Sequence, residues 1–147
     1  MLRKLKISKH NHHFISEKYM ASKKILIEFE NVGSVEGEIS DQVNPKTYEA
    51  FIKHIPFESE ANTWGKEIYF DTPVNIPVEN GKRKVEVGDI AYWPPGRSMC
   101  LFFGPTPASS GPEPVAASPV NVFGKITKNI EVLHKVRDGV KITVKFL

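Results

Sequence analysis

The chain has 147 residues, 40% hydrophobic and 25% charged, a balance that suits one globular domain and excludes a disordered segment. No apolar run approaches the roughly 18 residues that a membrane-spanning helix needs, and the single Cys100 excludes a disulfide framework or a multi-cysteine zinc site. The formal charge of +3 is concentrated in the first 19 residues, where Arg3, Lys4, Lys6, Lys9 and Lys18 face only Glu17; the remainder is slightly acidic, so no nucleic-acid partner is expected.

Residues 1–19 read as a flexible leader or a non-native extension, because Met20-Ala21-Ser22 reads like a start and the stretch lacks the apolar centre of a secretory signal. His10, His12 and His13 within it carry imidazoles suited to a metal, but a solvated polar tail is the simpler expectation. No metal or cofactor is expected for the chain. Residues 20–147 are expected to form the domain. Cys100, inside an apolar run, reads as a small buried hydrophobe, and its solitary thiol fits a reducing cytoplasm.

Residues 23–30 place Ile25, Ile27 and Phe29 on one face, the period of a strand. Asn31-Val32-Gly33 supplies a turn, and 34–39 returns as a second strand. The period then changes: Tyr48, Phe51, Ile52 and Ile55 share a helical face, with Asn44 as the expected N-cap, Pro45 at the first helical position and Pro56 as the stop. Strand patterns follow at 57–64 and 66–71 and, more weakly, at 74–78, ahead of a hairpin-type Asn80-Gly81. Residues 89–93 and 98–104 are almost wholly apolar, as in strands buried on both faces. Residues 105–119 hold five of the eleven prolines and read as a long ordered loop. Closing strands are expected at 120–126 and 139–147, with a short helix at 129–136 between them. Short strands with one or two helices favour a mainly β fold, a closed barrel with helical caps.

Three segments, in this order, resemble cyclophilins: "PKTYEAF" (45–51) in the first helix, "LFFG" (101–104) in a central strand, and "NVFGKITKNIEVLHKV" followed by "KITVKF" at the end. The block "YWPPG…CLFFGPTP" is similar to a group of short, atypical prokaryotic cyclophilin-like proteins of unassigned function. The resemblance implies an eight-stranded antiparallel barrel capped by two helices. It also implies prolyl isomerisation as a possible activity, whose barrier of roughly 18–20 kcal/mol is set by amide resonance. In that family a strand beginning Phe-His-Arg supplies a hydrogen-bond donor, while the Phe pair and a late Trp and His build the proline pocket. Here Phe103 matches the second Phe, but "YFD" (69–71) replaces the donor strand, putting Asp71 near the Arg position. The family's His and Trp positions fall at Val120 and Val115.

Arg97, directly after the Pro-Pro-Gly turn, is the candidate substitute, expected at a rim between Trp93 and Phe103, where a guanidinium binds carboxylates or stacks on rings. Tyr92 and Trp93 must lie on opposite faces of one strand, as must Phe102 and Phe103; Trp93 and Phe103 are expected to face a ligand. Glu58, Glu60, Trp64, Tyr69 and Asp71 are candidates for a second, acidic wall. His54 and His134 lack partners at metal-ligand spacing, and Thr106, Ser109 and Ser110 lack a nucleophile-elbow context. The expected ligand-binding set is Tyr69, Asp71, Trp93, Arg97, Phe103 and Thr106, taking a small molecule or a proline-containing peptide. The alternatives are an isomerase working through Arg97 and an interaction module whose aromatics are an interface.

Overall fold

The computed structural model describes residues 20–147 and, ahead of them, the backbone of a two-residue ladder pairing Leu5–Lys6 with Glu17–Lys18. The three leader histidines and the expected flexibility of 1–19 lie outside the described residues. Among the described residues no helix is long and apolar enough to cross a membrane.

Strands β1 (Ser22–Phe29) and β2 (Gly33–Ser40) pair antiparallel in one register, Ile27 opposite Val35. Their alternating Ile25, Ile27, Phe29, Val35 and Ile39 are buried, as the period of two requires. Helix α1 spans Pro45–His54 and ends at a cis Ile55–Pro56 bond. Asn44 precedes it without capping it. The cap comes instead from Glu79, whose carboxylate accepts hydrogen bonds from the Lys46 and Thr47 amides and from Thr47 Oγ1 (3.0–3.2 Å). Asn44 is occupied elsewhere, donating to Val122 O at 2.7 Å and accepting from Asn80 N at 2.8 Å.

The expected strand at 57–64 is broken at Ala61 into β3 (Phe57–Glu60) and β4 (Asn62–Thr63), and β5 follows at Glu67–Asp71. Residues 74–78 form no strand: Pro73 and Pro77 remove ladder donors, and the carbonyl of Val74 accepts from the Tyr92 hydroxyl instead (2.8 Å). Asn80-Gly81 makes no hairpin, because Asn80 is bound to Asn44 and to Val43 O. A short β6 (Lys82–Lys84) precedes β7 (Asp89–Trp93), a 3₁₀ turn over Pro94–Gly96, and β8 (Ser98–Phe102). The last long strand, β9, runs from Val115 to Lys128, so the second part of the expected loop at 105–119 is strand. Pro119 is accommodated where the register against β6 shifts between Val115 and Val120. A 3₁₀ segment, Ile130–Lys135, stands in place of the expected short helix, and β10 (Lys141–Phe146) closes the chain.

The sheet order is β3-β10-β1-β2-β9-β7-β8-β5-β4, with β6 added on β9. The fold is mainly β and antiparallel as expected, but the expected closed barrel of eight strands is not what forms. The two outermost strands, β3 and β4, share no ladder. They are consecutive in the chain, and the residue between them, Ala61, spends its N–H on Val140 O and its carbonyl on Gly139 N (2.8 and 2.9 Å). One side of the sheet wraps the main core, in which Phe51 of α1 stacks on Phe123 (centroids 4.6 Å apart) and meets Tyr92 edge-on (5.8 Å). A second, smaller cluster lies on the other side of β7 and β8: Ala91, Cys100 and Phe102 under Val85, Ala116 and Val120. The first half of β9 and the segment around β6 lie over these strands, so β7 and β8 are buried on both faces as their composition suggests.

Candidate functional site

Register decides what this outer layer holds. On β8, Ser98 pairs with Trp93 of β7 and Asp71 of β5, Cys100 with Ala91 and Tyr69, and Phe102 with Glu67. Glu67, Tyr69 and Trp93 therefore share the outward face of the sheet, while Tyr92 turns inward and is fully buried. Trp64 joins them from the tight β4–β5 turn, where Trp64 N donates to Glu67 O (2.9 Å) and Glu67 N returns to Trp64 O (3.2 Å) around Gly65 at φ 61°. That left-handed backbone is one that glycine adopts freely.

These side chains line a pocket of about 200 Å³, completed by Ala116, Ala117 and Val120 of β9. Tyr69 and Trp93 meet at 6.4 Å between centroids with their planes at 74°. Trp93 is fixed from two sides. Its indole N–H donates to Ser118 Oγ at 2.7 Å, and Gly96 lies so close beneath it that a Cβ there would sit 2.5 Å from the ring. Glu67 is only 6% exposed. Burial pushes its carboxyl up to about 7, against the opposing effect of a hydrogen bond with the Cys100 thiol. Burial, then the charge of Glu67, pushes that thiol well above its usual range, so Cys100 is an inert buried thiol and not a nucleophile. No described Lys, Arg or His pairs with Glu67 within ion-pair distance.

The expected site residues fall in five places. Tyr69 and Trp93 come together in the pocket, joined by Trp64. Phe103 does not: it is buried in the main core, against the edge of His134 at 4.9 Å and under the Lys66 ammonium. Arg97 is exposed and left-handed (φ 50°) at the end of the Pro-Pro-Gly turn, its carbonyl accepting from Thr72 N and Thr72 Oγ1 at 3.0 and 2.9 Å. The length of β8 separates Arg97 from Phe103, roughly 20 Å at about 3.3 Å per residue. The expected rim of Trp93, Arg97 and Phe103 therefore does not form. Asp71, Glu58 and Glu60 lie along a wider open groove with Glu28 and Glu30. Thr106 is buried and its hydroxyl is committed to the loop, donating to Val115 O and accepting from Ala108 N. Ser109 bonds to Glu113 O, and His54 to Ala50 O within its own helix.

Sequence reasoning missed Glu67 and the alanines of β9. The alternation Glu67, Tyr69, Asp71 in "KEIYFD" does put Glu67 beside Tyr69. Its burial depends on β9 beginning at Val115, inside what reads as a proline-rich loop.

A model of the family described as cyclophilin-like matches residues 23–145. The chain belongs to the cyclophilin-like family. The solution structure of a hypothetical protein from Archaeoglobus fulgidus is similar to this cyclophilin-like chain at 41% identity, covering 88% of this chain and 98% of that one, with a TM-score of 0.76. No curated protein matches.

Proposed function

We propose that this cyclophilin-like chain is a binding module for a small organic molecule, taken up in the outer-layer pocket between Trp64, Tyr69 and Trp93. The observation that carries the reading is the pocket itself, apolar walls converging on one buried carboxylate, which is the usual make-up of a small-ligand site. At about 200 Å³ it offers the room of half a dozen or so waters of about 30 Å³ each, enough for a ligand of under about ten non-hydrogen atoms. The solitary buried Cys100 supports a reducing compartment such as the cytoplasm. The isomerase alternative has less behind it, since Arg97 and Phe103 sit at opposite ends of β8 and the apolar floor it requires lies in the main core.

The reading is tested by NMR. Small fragments added to labelled protein are expected to shift the indole N–H signals of Trp64 and Trp93 first. Cis/trans exchange of a short Xaa-Pro peptide in the same tube is expected to keep its uncatalysed rate. Accelerated exchange that disappears in Arg97→Ala would establish the isomerase instead. Indoles that stay silent through a broad fragment set would remove the pocket as the site.

A further inference from the structure

Resting on that reading of the pocket, we infer that its ligand is a small organic cation, an alkylated ammonium held by Trp64, Tyr69 and Trp93 over the Glu67 carboxylate. Three features converge. Aromatic rings present negative faces, and three of them at one small cavity attract a cation at the expense of an anion. The carboxylate beside them is buried yet lacks any described cationic partner, although the other buried acid near this layer, Asp89, is paired with Lys125 at 2.9 Å. The walls from β9 are Ala116, Ala117 and Val120, which bring no competing charge and no hydrogen-bonding side chain. Such walls suit a methylated nitrogen, which needs no acceptors.

The alternatives fit less well. An anion would meet the Glu67 carboxylate with no described cation to offset it. A neutral ligand would leave the desolvation of Glu67 uncompensated, whereas a cation replaces the lost hydration of the carboxylate with an opposite charge. The titratable and charged groups around Glu67 are few: Tyr69 on its own strand, Lys66 beside it in sequence but turned over Phe103, and the Cys100 thiol on β8. Arg83 of β6 donates its Nε to Ala116 O at 3.0 Å and makes no described ion pair with Glu67. Protonation of Glu67, whose carboxyl lies near 7, would then remove the attraction within the physiological range.

Both tryptophans of the chain line the pocket, so intrinsic fluorescence reads it without a label. The probes are choline, its neutral carbon isostere 3,3-dimethylbutan-1-ol, and the anion 3,3-dimethylbutanoate, titrated at pH 8 and pH 6 with calorimetry in parallel. Choline is expected to bind at least about tenfold more tightly than the alcohol at pH 8, to lose about tenfold at pH 6, and the anion not to bind. Glu67→Gln should weaken choline at pH 8, narrow its advantage over the alcohol and remove the dependence of choline binding on pH between 8 and 6. Ala117→Phe, at an exposed position, should block every probe in a folded protein. If the alcohol binds as tightly as choline, the cation inference falls and the pocket reading stands. If choline fails to bind while neutral fragments shift the Trp64 and Trp93 indoles, the outcome is the same. If no probe of any charge perturbs either tryptophan, both fall.

Discussion

Glu67 makes the empty protein less stable at high pH than it would otherwise be. Its carboxyl is raised from 4.5 to about 7, chiefly by burial, with the Cys100 hydrogen bond opposing. The folded chain therefore holds this proton more tightly than the unfolded chain does. The resulting stabilisation is complete below about pH 4.5 and is lost as pH rises through 7. At about 1.4 kcal/mol per pH unit, the loss is on the order of 3 kcal/mol. Glu67→Gln keeps the shape without the charge, so it is expected to be more stable than the parent at pH 8, with the gap closing by pH 5. Denaturant titrations at both pH values check this, and a variant no more stable at pH 8 would show that the carboxylate is already compensated. The same substitution is expected to weaken binding. A residue that lowers stability and raises affinity is a common mark of a functional position.

Between the elements, three asparagines (Asn44, Asn80 and Asn121) and Glu79 take over the work expected of a helix cap and a hairpin. Asn121 of β9 is fully buried, with Nδ2 donating to Thr47 Oγ1 and Pro77 O (3.1 and 3.2 Å) and Oδ1 accepting from Glu79 N (2.8 Å). It thereby fastens α1 and the irregular segment 72–81 to the sheet. Asn121→Ala leaves buried partners unsatisfied and is expected to cost about 2–3 kcal/mol in a denaturant titration, with an unchanged slope. These bonds explain what was legible in the sequence. Strands β1 and β2 and the helix were readable because their burial has a period, and β7 and β8 because an almost wholly apolar run marks strands buried on both faces. Glu79 capping a helix more than thirty positions earlier has no local signature, and neither does Pro119 inside a strand. Trp93 could be named as an outward aromatic, and Trp64 and Tyr69 as candidates for a second wall. Their meeting with Glu67 waits on how β9 crosses the sheet, and the pairing of Trp93 with Phe103 failed because the hairpin puts them at opposite ends of β8.

Across the whole molecule, the two apolar clusters share no buried residue, and they differ in what holds them. The main one is enclosed by the paired strands β10, β1, β2 and β9 and by α1. The outer one depends on the irregular ladder between β9 and β6, whose three residues Lys82–Lys84 are all exposed. Local opening should follow this division. In native-state hydrogen exchange, the amides of β6 and of residues 115–120 are expected to exchange by a partial opening, well ahead of those in β1, β2 and β10. A bound ligand should slow only the first group; equal protection everywhere would mean that the layers open as one. The separation also bears on how such a chain diversifies over generations. Exchanging Trp64, Tyr69, Ala116 or Ala117 alters what the outer layer can hold while the side chains that close the main core stay as they are. Descendants of one fold are free to take up different molecules without first relearning how to fold.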